Sequence, residues 1–159
     1  MPDALYERDF YTWTQEQARL LRARAELQPN DAIDWAHVAE EIEDMGKDVA
    51  RTIRSAYARI IEHLLKLEHS PARDPRSGWM ETVVEQRRRI VNELEDNPGV
   101  RPQLEGLFVR SWTSGIELAA LSLTRRDRLD PRTLPTECPY TRAQVEDFDW
   151  WPVNRHGLD

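Results

Sequence analysis

Apolar residues recur at steps of three and four along one stretch: Trp35, Val38, Ile42, Met45, Val49, Ile53, Ala56, Ile60, Leu64 and Leu67. Nine steps cover 32 positions, a mean of roughly 3.6 and so the period of an α-helix. The pattern predicts one helix over residues 35–68, about 50 Å long at ~1.5 Å per residue. Asp34 precedes it as an N-cap whose carboxylate can accept early backbone N–H groups. Gly46 lies inside the run, but the apolar phase continues across it, so a continuous or mildly bent helix is expected rather than a turn. An amphipathic helix of this length needs other helices to cover its stripe.

Four further helices are expected around it. The first runs from about Asp9 to Ala25, turns Leu20 and Leu21 to the core, and offers Thr14 with Gln17 as a capping box. Pro29, Asn30 and Asp31 form the next loop. Ser70, Pro71, Asp74, Pro75 and Gly78 mark another, and a helix follows from about Trp79 to Glu95. Asn97, Pro98, Gly99 and Pro102 break the chain before a helix over 103–126. A short last helix spans 142–148, capped by Thr141 with Gln144 three residues on. Prolines at 131, 135, 139 and 152 make the tail irregular. No β-alternation and no repeat interrupts this pattern. The predicted fold is all-α, an up-down helical bundle of four main helices plus the short C-terminal one, in a single domain spanning residues 1–159.

One face of the 103–126 helix carries Ser111, Gly115, Ala119 and Ser122. Small side chains at that spacing let a neighbouring helix axis approach closely, with Trp112, Ile116 and Leu123 flanking the groove.

Composition narrows the function classes. Charged residues make up 32% of the chain and hydrophobic ones 40%, which suits a soluble helical protein. No apolar run approaches the ~18 residues of a membrane span, and the opening Met1-Pro2-Asp3-Ala4 lacks the basic and apolar regions of a signal peptide. The single cysteine, Cys138, excludes an internal disulfide and a multi-cysteine zinc site, and has no basic neighbour to activate it. A reducing cytoplasm is the expected compartment. The net charge of −7 is uneven: residues 1–50 hold 12 acids and 5 bases. That first third argues against nucleic-acid binding; it would suit a basic partner, but most such surfaces simply confer solubility.

Several residues could carry chemistry. His37, Glu41, Asp44 and Asp48 share one side of the long helix, and a His and a carboxylate four apart can hold a metal. A solvated acidic face is the plainer account. A zinc site needs about three or four ligands from more than one element. The remaining candidates, His63 and His69 with Glu62 and Glu68, start ~26 residues further along the same helix, roughly 39 Å away. No Glu-x-x-His pair occurs. Neither a metal nor a cofactor is therefore expected, with His37, Glu41 and His63 as the weak candidates. Arg87 is more telling, because it falls within the stripe of Val83, Ile90 and Leu94. A buried guanidinium must find a partner. The expected one is the Glu40, Glu41, Glu43 cluster, above all Glu41, in a structural ion pair. Binding of a small anion is the second account. Trp150 and Trp151, beside Phe148, either seal the bundle end, which is favoured, or form an interaction surface.

Much of the chain also resembles a known family. The opening Leu5-Tyr6-Glu7-Arg8-Asp9-Phe10-Tyr11-Thr12-Trp13-Thr14-Gln15-Glu16-Gln17-Ala18, with Leu20-Leu21-Arg22, is similar to the start of domain of unknown function 29 (DUF29). So are Asp34-Trp35, Ala39-Glu40-Glu41-Ile42-Glu43-Asp44-Met45-Gly46 and His63-Leu64-Leu65-Lys66, then Ser77 to Trp79, Gln86-Arg87 and Cys138-Pro139-Tyr140-Thr141. The resemblance implies a bacterial, all-helical protein and supplies no catalytic residues. Taken together, these features lead us to expect a soluble interaction or regulatory module without catalysis. The alternative is a metal- or small-anion-binding bundle, extending to an enzyme.

Overall fold

Asp9 ends one helix and begins the next. Its side chain accepts the Thr12 backbone N–H, so α1 (Pro2–Arg8) stops and α2 (Phe10–Leu27) starts around it. The computed structural model describes residues 2–159, with side chains from Ala4 onward. The chain is all-α: after α2 come α3 (Trp35–His69), α4 (Arg76–Asp96), α5 (Leu104–Asp127) and α6 (Arg142–Glu146), with 3-10 turns at Pro98–Gln103 and Pro131–Thr133. No strand occurs among the described residues.

The long helix runs unbroken through Gly46, as its periodicity predicts. Asp34 caps it, with Oδ1 accepting the His37 N–H at 3.2 Å. The last helix carries the expected capping box between Thr141 and Gln144. Three expectations fail locally. Thr14 caps nothing: it is buried within α2, and its hydroxyl donates to the Tyr11 carbonyl at 2.7 Å. The helix expected at Trp79 begins at Arg76, because Pro75 serves as its entry and its carbonyl accepts the Trp79 N–H. The last helix closes at Glu146 rather than Phe148.

The chain divides into two compact units. The first takes in residues up to Thr52 together with Asn92–Leu104. Here α2 and the first half of α3 run antiparallel, since Arg22 meets Glu43 while Thr14, further back along α2, lies against Gly46. A β-carbon at Gly46 would fall on the Thr14 hydroxyl, so the glycine sets how closely the two helices approach.

The second unit is Ile53–Val91 with Glu105–Asp159. Every residue of α3 from Ile60 to Leu67 is buried, so this half of the helix is covered all round rather than along one stripe. The second cover is α5. Phe108 packs edge-on against Tyr57, and Gly115 sits over Ala58 and Ile61. The order of these pairs makes α5 parallel to α3. The short 70–75 link reverses α4 between them, giving an up-down-up arrangement. Ser111 and Ala119 are buried beside Gly115, which is the close-packing face expected of α5.

The tail is less irregular than its prolines suggest. Asn154 is buried, and its amide donates to the carbonyls of Leu67 (2.7 Å) and Ser70 (3.0 Å), closing the C-terminal end of α3. The Arg155 N–H reaches the Glu68 carbonyl at 2.9 Å. The His156 ring lies 3.0 Å from the His69 carbonyl.

Candidate functional site

The α2–α3 hairpin of the first unit presents unlike faces. On one, Arg22 forms a paired contact with both oxygens of Glu43, at 3.2 and 2.9 Å. Turning through about 100° per residue puts Leu20 and Leu27 on the face of α2 away from α3, and Val38 and Met45 on the flank of α3 away from Glu43. All four are exposed: 46% and 79% on α2, 38% and 49% on α3. Within each helix the pair is seven residues apart, which aligns it along the axis. Leu20 therefore does not turn fully to the core, contrary to expectation. Glu16 lies beside the pair on α2, and Glu41 beside the pair on α3. Both are exposed, and neither has a basic partner within 4 Å among the described residues. Beyond the hairpin tip, the Trp35 indole N–H donates to Asp31 at 2.8 Å.

Arg87 is buried as the stripe requires, at 1% exposure, but its partner is not a carboxylate. Its Nε donates to the Val145 carbonyl at 2.8 Å. Its Nη2 donates to the carbonyls of Trp150 (3.0 Å) and Gln144 (3.3 Å). The guanidinium also lies 4.8 Å from the Trp151 ring centre. Burial pulls its pKa down to about 10, against an opposing pull from Asp147. The expected pair with Glu40, Glu41 or Glu43 is thus corrected. Glu43 is engaged by Arg22 and Lys47, and Glu40 and Glu41 are exposed. Carbonyls at the end of α6 and in the following turn offer the guanidinium several acceptors at once, without a second charge to desolvate.

The metal candidates separate. His37 is exposed and bound to Asp34 at 2.5 Å, which raises its pKa. Glu41 faces solvent. His63 is buried, with Nδ1 at 2.9 Å from the Arg59 carbonyl, and burial lowers its pKa. Among the described residues no three His, Cys, Asp or Glu side chains come together in a way that could hold a metal ion. Asp44 and Asp48 are held by Lys47 and Arg51.

His69 is also buried, and its pKa is likewise lowered by burial. Unfolding returns both imidazoles to about 6.5. Between that value and the depressed folded values, the unfolded chain binds more protons. Stability should therefore fall as pH drops from about 7.5 to about 5.5. The urea midpoint measured across that range should decline less steeply in a His63→Gln, His69→Gln variant. An equal slope in both proteins would exclude the two histidines as the cause.

Sequence reasoning missed two polar clusters in the second unit, each built on a buried tyrosine and reaching out to the surface. The Tyr57 hydroxyl donates to the Glu146 carboxylate. Arg142 joins Glu146 at 2.9 Å and Glu105 at 2.9 Å, and burial pushes the Tyr57 pKa up. Likewise Glu68 accepts from Tyr140 at 2.6 Å and pairs with Arg155 at 3.2 Å. A tyrosine within an apolar stripe is the one signal that could have pointed to such partners. Trp150 and Trp151 are half-buried, Trp150 edge-on to Tyr140 and Trp151 beneath Arg87. Burial raises the pKa of Cys138, and its thiol lies 3.5 Å from the Tyr140 carbonyl. Among the described residues no helix is long and apolar enough to cross a membrane.

A crystal structure of an alpha-helical protein of unknown function from Rhodospirillum rubrum has a similar fold, with a TM-score of 0.73. It is 26% identical, and the match covers 91% of this chain and 90% of that one. A search of curated proteins finds no match. The model of one family, Domain of unknown function DUF29, matches residues 5–151, and the chain belongs to that family.

Proposed function

We propose that the protein is a non-catalytic interaction module whose α2–α3 hairpin receives a basic amphipathic helix from a partner protein. One observation carries this reading: the exposed apolar pairs Leu20 with Leu27 on α2 and Val38 with Met45 on α3. Scattered apolar residues on a surface are ordinary, but a pair seven residues apart on one helix is aligned along its axis and offers an amphipathic partner helix two anchors. Charge selects the partner. Glu16 lies beside the pair on α2 and Glu41 beside the pair on α3, and residues 1–50 hold 12 acids against 5 bases. Such a rim favours a lysine- or arginine-rich helix and repels anionic lipid and nucleic acid. A cytoplasmic setting goes with this reading, supported by the single cysteine.

Fluorescence anisotropy with a labelled leucine–lysine helical peptide tests it, beside the same peptide with glutamate for lysine. The basic peptide should bind, and a Leu20→Ser, Met45→Ser variant should weaken binding about tenfold or more, as loss of two apolar anchors implies. Equal binding of the acidic peptide would overturn the charge argument. A dimer in sedimentation that the same variant dissociates would assign the face to a second copy of the chain instead.

A further inference from the structure

In the second unit a groove of about 450 Å³ runs between the C-terminal half of α3 and the last turns of α5. Its walls include Glu62, Lys66, Leu118, Leu121, Arg125 and Arg126. The groove is shallow and open to solvent, so a ligand there would lie along the surface rather than be enclosed. Its one acid is fully engaged: Glu62 is buried, with one carboxylate oxygen on Lys66 at 2.5 Å and the other on Arg59 at 2.8 Å. Arg125 and Arg126 have no acidic partner within 4 Å among the described residues. The groove lining thus holds three cations, Lys66, Arg125 and Arg126, beside one carboxylate that Lys66 and Arg59 already engage, in a chain whose net charge is −7.

The arrangement of Arg126 adds more than charge. Its guanidinium lies 5.2 Å from the Trp79 ring centre, and Lys66 Nζ lies 5.9 Å from the same ring. Stacking on an indole fixes the plane of an arginine while leaving its edge donors free for a planar oxyanion. A helix C-terminus favours arginines through its dipole, but that leaves the stack and the groove unexplained. Leu118 and Leu121 line the same groove and are exposed. They lie one helical turn apart and form an apolar strip beside the cations.

We propose that this groove binds a small amphipathic oxyanion, a carboxylate or phosphate monoester on a short apolar body. The head pairs with Arg126 and Arg125, and the body lies along Leu118 and Leu121. The reading is independent of the hairpin face, which belongs to the other unit.

Octanoate, octyl phosphate, acetate, inorganic phosphate and octanol are titrated into isotopically labelled protein, following the indole N–H resonances. Trp79 is assigned with a Trp79→Phe variant. One or both of the octyl anions should shift the Trp79 signal saturably, with Kd below about 1 mM. Which one binds more tightly decides between carboxylate and phosphate. Arg126→Ala should weaken binding about tenfold, as loss of a charge-assisted pair implies, and Leu121→Ser should also weaken it. All these side chains but Trp79 lie at the surface, so circular dichroism should show the variants folded. Absence of any saturable shift at Trp79 would overturn the proposal. So would an unchanged Kd in an Arg125→Ala, Arg126→Ala variant. Octanol binding as tightly as octanoate would remove the oxyanion. Inorganic phosphate binding as tightly as octyl phosphate would remove the apolar body.

Discussion

Replacing Arg87 with alanine should destabilise the second unit by on the order of 4 kcal/mol. Three hydrogen bonds to carbonyls are lost, and bonds to a charged donor contribute about 1.5–3 kcal/mol each, not additively. The carbonyls of Val145, Gln144 and Trp150 are left to find water, and the Trp151 ring loses the cation that covers it. For a chain of this size that loss corresponds to roughly 10 °C in the thermal midpoint. Arg87→Lys should recover only part of it, because an ammonium cannot serve carbonyls in several directions from a planar fork. The carbonyl arrangement makes a sharper claim as well. In a double-mutant cycle, Arg87→Ala and Glu41→Ala should be additive within about 0.5 kcal/mol. A coupling of several kcal/mol would restore the ion pair that the sequence suggested. A midpoint unchanged by Arg87→Ala would remove Arg87 from the packing account altogether.

Gly115→Val should cost about 2–3 kcal/mol, in the range of overpacked cores. A β-carbon at Gly115 would lie 2.7 Å from Ile61 Cγ2, 2.9 Å from Ile61 Cβ and 3.2 Å from the Ala58 carbonyl oxygen. Two of those atoms are fixed by the α3 backbone, so relief requires the helices to separate. Even Gly115→Ala should destabilise, although alanine is intrinsically better in a helix by about 1 kcal/mol. Gly106 supplies the control within the same helix. Nothing lies within 4 Å of a β-carbon built there, so Gly106→Ala should stabilise by up to about 1 kcal/mol. Urea unfolding of the two alanine variants should move the midpoint in opposite directions. If both rise together, the close approach of α3 and α5 is not what Gly115 serves.

What could be read in advance follows from what a sequence encodes locally. The long helix was legible because its apolar phase persists for ten positions, and a single glycine cannot outweigh that. The small face of α5 was legible because only Gly, Ala and Ser admit a helix at that distance. The Thr141–Gln144 box was legible because both capping groups lie within four residues. Thr14 and Gln17 have the same spacing, yet Asp9 captured the helix start upstream and left Thr14 in the interior. The burial of Arg87 was legible from its stripe, but its partners were not, because backbone carbonyls have no residue type to search for. The full burial of Glu62, His63 and Lys66 was not legible, because a single apolar stripe implies only one covered face. A second helix on the opposite face buried them, and that depends on topology. Leu20 misled in the other sense: an apolar residue in an amphipathic pattern was assigned inward, and it lies on an open side.

The attachment of Asn154 to the end of α3 bears on the order of events during synthesis. The carbonyls of Leu67 and Ser70 wait for a side chain that follows them by 87 and 84 residues. Until that segment has left the ribosome, the last turn of the longest helix lacks this closure. The nascent second unit can form helix locally but cannot seal it. Contacts of such sequence separation slow the final folding step. They also make a chain arrested shortly before Asn154 an exposed species, with the frayed end of α3 open to proteases and chaperones.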